Sequence, residues 1–94
     1  MISLEETVRP HPQVVDTELD TAEVVLLHLD SQTYYSLNPT GTRIWQGVKQ
    51  GLSLQEISQR LQAVFEVEPD RADRSVLALV DELLQHQIVQ RLER

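Results

Sequence analysis

Thr33-Tyr34-Tyr35-Ser36-Leu37-Asn38-Pro39-Thr40-Gly41-Thr42-Arg43-Ile44-Trp45 is the stretch that decides the fold. Its first five residues are mostly β-branched or aromatic, which suits a short strand. Asn38-Pro39 then offers a helix N-cap and a first helical residue whose missing amide proton costs nothing there. Strand passes into helix with almost no linker. Side chains alternate along a strand, so Leu37 and Tyr35 are expected to face the core while Tyr34 and Ser36 take the opposite face. The helix is expected from about Pro39 to Gln50, with Gly51 as its stop. Gly41, Ile44, Trp45 and Val48 recur at spacings of three and four, which makes one packing face with Trp45 as its core anchor.

Upstream, residues 1–12 read as an extended lead-in, because Pro10-His11-Pro12 cannot be helical, and residues 13–94 read as one domain. Gln13 to Leu19 looks like a strand, Asp20-Thr21 like a turn, and Glu23 to Leu29 like a second strand. That second strand is apolar on both faces except at His28, the pattern of a central strand covered on each side. Asp30-Ser31-Gln32 turns it into Thr33, so the first half reads as a three-stranded antiparallel meander.

Downstream, Ser53 and Glu56 match a capping box and Leu52 with Ile57 a hydrophobic staple. The helix they open carries Leu54, Ile57, Leu61, Val64 and Phe65 at helical spacing and ends near Phe65. Pro69 begins a third helix, with Asp70 in its first turn. Ala72, Val76, Leu79, Val80 and Leu83 are expected to dock on the core. Leu77 and Leu84 lie on the flank of that stripe, near Asp73 and Asp81, and form a candidate groove wall. Ile88 to Leu92 ends the chain as a brief strand or extended tail. The fold class is α+β, a three-stranded antiparallel sheet followed by three helices.

The chain has 94 residues, no cysteine and a net charge of −7 from 15 acidic and 8 basic residues. This size suits one domain with little room for a deep, water-excluding site. Excess carboxylate disfavours nucleic acid, whose binding draws on Lys and Arg at phosphates, and favours a basic peptide. There is no apolar run of membrane-spanning length and no secretory pattern at Met1-Ile2-Ser3-Leu4-Glu5-Glu6, so a cytoplasmic location is expected. His11, His28 and His86 are scattered without metal-ligand spacing, and there is no phosphate loop or nucleophile elbow. No catalytic residue, metal or cofactor is expected, and the chain reads as a non-enzyme. Glu66, Glu68, Asp70, Asp73, Asp81 and Glu82 bracket or decorate the third helix, either as a solvated face or as an acidic rim beside the groove.

The element order, with Tyr34-Tyr35-Ser36-Leu37-Asn38-Pro39-Thr40-Gly41-Thr42-Arg43-Ile44-Trp45, resembles the PqqD-like family. The resemblance extends through Leu52-Ser53-Leu54-Gln55-Glu56-Ile57 and Pro69-Asp70-Arg71-Ala72, roughly residues 13 to 92. It implies a winged helix-turn-helix-like module that recognises leader peptides of ribosomally made, modified natural products. In such members the leader adds as a strand beside the third strand and lies against the last helix. Carried onto this chain, Thr33, Tyr34, Tyr35, Ser36 and Leu37 pair with the leader, and Leu77, Val80, Asp81 and Leu84 line the groove, joined by Val76 and Asp73. Free-standing members of this length look similar to recognition proteins of lasso-peptide pathways, which present the precursor to a separate leader peptidase. Others serve radical enzymes. The net charge suits a lysine-bearing leader, and a monomer is expected.

Two other readings share these elements. A winged-helix DNA-binding regulator has three helices and a small sheet, but Asp70, Asp73, Asp81 and Glu82 outnumber Arg71 and Arg74 on the helix that would read DNA. An oligomerising scaffold would use the same strand edge to pair with itself.

Overall fold

The computed structural model describes residues 2–19 and 23–92. The element order is β1 (Val8–Pro10), β2 (Val14–Glu18), β3 (Val24–His28), β4 (Thr33–Leu37), α1 (Pro39–Lys49), α2 (Leu54–Phe65), α3 (Pro69–Gln85) and β5 (Val89–Arg91). The expected meander is β2-β3-β4, antiparallel throughout, with β3 in the centre and β4 at an edge. The turn expected at Asp20-Thr21 lies outside the described residues.

Local chemistry sets each helix start. Asn38 caps α1 by accepting from the Gly41 amide through its Oδ1 at 2.7 Å, satisfying a donor that has no partner within the helix. Ser53 and Glu56 form the full capping box of α2, each side chain accepting from the other's backbone amide at 3.2 Å. Gly51, at φ +80°, lets the chain reverse between α1 and α2, a conformation that costs a residue with a Cβ. At Gly47 the two helices approach so closely that an added Cβ would fall 2.6 Å from Ile57 Cγ1.

The lead-in is extended, and it is tied into the core. Ile2 and Val8 are 4% and 1% exposed, and β1 pairs antiparallel with β5 in a separate two-stranded sheet. The carbonyls of Glu6 and Leu4 accept from the Leu54 and Gln55 amides at 3.0 and 2.9 Å, so this segment also satisfies first-turn donors of α2.

The helices cover one face of the meander. Val24, Leu26 and His28 of β3 are buried on that inner face, together with Leu37, Ile44, Trp45 and Val48. Asp16 of β2 accepts from Trp45 Nε1 at 2.9 Å and from Lys49 Nζ at 2.6 Å. These bonds fasten α1 to the β2 side of the sheet, and the Lys49 bond foremost, then the Trp45 bond, hold the Asp16 carboxyl below its ordinary value. The expectation that β3 is covered on both sides is corrected here. Its other face, Val25 and Leu27, is only half-buried, and the cross-strand row Val15–Leu27–Tyr34 ends in side chains 46% and 70% exposed. The apolar residues there shield one another across strands rather than meeting a second layer. No helix among the described residues is long and apolar enough to cross a membrane.

Candidate functional site

Backbone alternation identifies which groups of β4 are open. The Leu19 amide donates to the Glu23 carbonyl, and the Leu29 amide to the Gln13 carbonyl, each at 2.8 Å. Odd-numbered residues of β3 therefore turn their polar groups toward β2, and even-numbered ones toward β4. The register pairs Val24, Leu26 and His28 with Leu37, Tyr35 and Thr33. The backbone groups of Thr33, Tyr35 and Leu37 thus serve β3, and those of Tyr34 and Ser36 point away from the sheet along its free edge.

Beside that edge lies a cleft of about 440 Å³ between β4, the start of α1 and one flank of α3. Leu37 and Ile44 form its apolar floor, and α3 contributes Ser75, Ala78, Leu79 and Glu82. Those four recur at spacings of three and four, one stripe of the helix. The Tyr35 hydroxyl faces the Glu82 carboxylate across the cleft. Burial, and then the hydrogen bond and charge of Glu82, push the Tyr35 pKa up to about 12. The His86 ring packs tilted against Tyr35 with centroids 5.8 Å apart. The cleft thus has an apolar base, small residues on its helical wall, one carboxylate and an adjacent strand edge that pairs with no other strand among the described residues.

The expected site residues divide sharply between places. Tyr35 and Leu37 line the cleft with Ser36, while Tyr34 lies on the edge with its side chain on the outer face. Val76 and Val80 are both 0% exposed and belong to the core. Leu77 and Leu84 are half-buried and pack against that core. Asp73 accepts from Ser58 Oγ on α2, and Asp81 is exposed, accepting from Gln85 at 3.3 Å. None of these six residues of α3 is among those lining the cleft beside β4. Leu79, expected to dock on the core, packs against it half-buried and lines the cleft as well. Ser75, Ala78 and Glu82 carry a periodic signal, but it is written in small and polar residues rather than hydrophobic ones. Among the described residues no group of three or more His, Asp or Glu is placed to hold a metal ion.

The model of the PqqD family, described as coenzyme PQQ synthesis protein D, matches residues 23–89. No curated protein matches the chain. Two solved structures superpose closely. TbiB1 in complex with the TbiA(β) leader peptide is 28% identical, with a TM-score of 0.83 over 92% of this chain and 99% of that one. A lasso peptide synthetase B1 complexed with the leader peptide is 31% identical, with a TM-score of 0.81 over 88% and 96% respectively.

Proposed function

The chain belongs to the PqqD family, and from that premise we propose that it is a non-catalytic module that binds the leader of a ribosomally made precursor peptide by strand addition. It delivers that leader to a separate processing enzyme, the leader peptidase of a lasso-peptide pathway. The observation that carries the reading is the free edge of β4 at Tyr34 and Ser36, set directly beside the cleft against α3. Similarity to two B1 proteins bound to leader peptides supports it, and favours a lasso pathway over a radical enzyme.

In this mechanism the leader enters extended and pairs antiparallel with β4. Alternate backbone groups of the leader meet the N–H and C=O of Tyr34 and Ser36, giving up to four bonds at a net ~0.5–1.5 kcal/mol each. Its inward side chains enter the cleft over Leu37, Ala78 and Leu79, where each buried apolar anchor contributes ~1.5–3 kcal/mol. Ordering a flexible peptide offsets much of this sum, and affinities of micromolar to tens of nanomolar follow, on the order of 8–10 kcal/mol. Backbone pairing is common to all peptides, so the anchors supply selectivity. Val76 and Val80 hold α3 in place beneath the contact. Glu82, together with the net charge of −7, suits a lysine-bearing leader. The protein acts as a monomer in the cytoplasm.

Fluorescence anisotropy of a labelled leader from a neighbouring precursor gene, against a scrambled control, tests this. Saturable binding of the native leader alone is the expected result. Failure to bind any neighbouring leader, in a sample shown to be folded, would sink the reading.

A further inference from the structure

On the other side of α1 from the leader cleft, two adjoining clefts of about 260 and 320 Å³ share Arg43, Gln46 and Val64. The first is bounded by Arg43 and Arg60 and floored by Ile57 and Leu61. The second runs on to Phe65 and Leu19, with Glu18 and Glu23 at its border. Three of the exposed large apolar side chains converge here: Leu19, Val64 and Phe65 are 46%, 47% and 38% exposed. Large apolar groups brought together at a groove mark an interaction surface more often than scattered ones do.

Charge specifies what fits. Arg60 donates through Nη1 to Gln50 Oε1 at 2.9 Å, which holds its guanidinium at the rim of the first cleft. Arg43, on α1, lines the same cleft as Arg60, on α2, so two of the 8 basic residues of an otherwise acidic chain border one apolar floor. Thr42, 6% exposed, lines the second cleft, and its Oγ1 has no partner among the described residues. α1 gives Thr40, Gly41 and Ile44 to the leader cleft and Arg43, Gln46 and Gly47 to this one. Both can therefore be occupied at once.

The geometry points to a second docking site, which takes an acidic, apolar segment of a partner protein. The acidic end of the segment lies in the first cleft beside Arg43 and Arg60, and only its apolar residues reach Val64 and Phe65 in the second, where Glu18 and Glu23 would repel a carboxylate. Such a site lets a module hold its enzyme through one groove while it presents a peptide in the other. It stands on its own geometry and does not depend on leader binding.

The test is an NMR titration of the ¹⁵N-labelled full chain with the peptide Ac-Glu-Glu-Leu-Leu-Phe-NH₂, and with a counterpart in which both Glu are Lys. Saturating amide shifts at Gln46, Gly47 and Val64 with the acidic peptide alone are expected. R43E/R60E should weaken that binding at least about tenfold, and Arg43→Gln, which adds no negative charge, should weaken it less. Both variants change exposed side chains, and leader affinity and circular dichroism should stay as in the parent. Equal or tighter binding of the lysine peptide, or shifts confined to β4 and α3, would overturn the proposal. So would a concentration-dependent dimer, seen by sedimentation without peptide and abolished by R43E/R60E, since the occupant would then be a second copy of the chain.

Discussion

Leu77 and Leu84 lie seven residues apart on α3, and so do Ser75 and Glu82, yet the two pairs meet different surroundings. The leucines pack half-buried against the core, whereas Ser75 and Glu82 border the cleft beside β4. The difference teaches that the more apolar flank of an amphipathic helix need not be the one facing a groove. Leucines can complete the packing of a small core, while a groove that admits another chain needs small side chains for room and a few polar ones for orientation.

The largest effect that bears on this comparison is steric. Ala78→Phe would fill the cleft from an exposed position, so leader affinity should fall at least about a hundredfold, roughly 2.7 kcal/mol, with the melting temperature nearly unchanged. Anisotropy with the labelled leader, paired with thermal melts, reads both quantities. Leu77→Ala should do the reverse. It removes half-buried packing worth about 1–2 kcal/mol of stability and changes leader affinity by less than about threefold, or 0.7 kcal/mol. If Leu77→Ala loses affinity and keeps its stability, the two flanks exchange roles.

A smaller effect belongs to the opposite border of the sheet, where Asp16 fastens α1. Asp16→Asn keeps an oxygen for Trp45 Nε1 and removes the charge facing Lys49, a pair whose side chains are 28% and 44% exposed. Screening at that exposure limits the loss to about 0.2–1 kcal/mol. The carboxyl is held below its ordinary value of 3.8 in the folded state. Its contribution is therefore present above that value and is lost as the pH falls through the lower folded one. Urea unfolding at neutral pH and at successively lower pH should show the parent and Asn variants converging. A constant gap would mean that the difference is not electrostatic.

Most element boundaries were legible because their causes are local. Asn38-Pro39, the Ser53–Glu56 box and Pro69 each satisfy or dispense with an amide within one helical turn, and the helices begin there. The pairing of β1 with β5 was not legible, because it joins two three-residue strands from opposite ends of the chain, one of them ending in Pro10. The apolar residues on both sides of β3 read as double coverage, since a sequence does not distinguish a second layer from a row such as Val15–Leu27–Tyr34. At the candidate site, the strand and the helix that border the cleft were both identified. The rotation of α3 was not, because it depends on which neighbours Val76 and Val80 find in the core, a tertiary matter that periodicity leaves open.

The finest test of that rotation compares adjacent carboxylates. Glu82 reaches Tyr35 across the cleft, whereas Asp81 accepts from Gln85 on its own helix. Glu82→Gln should therefore lower the Tyr35 pKa from about 12 toward the ordinary tyrosine value of 10.0. It should not reach that value, because burial, the larger cause, remains. Asp81→Asn should leave it in place. Because the raised pKa favours the neutral phenol in the folded state, its stabilisation is present below the unfolded value and is lost as the pH rises from about 10 through about 12. A ¹³C titration of labelled tyrosine would follow the ring directly. A Tyr35 midpoint that shifts in Asp81→Asn and stays fixed in Glu82→Gln would mean that α3 turns its other flank toward β4, and that the groove wall belongs to Leu77 and Leu84 after all.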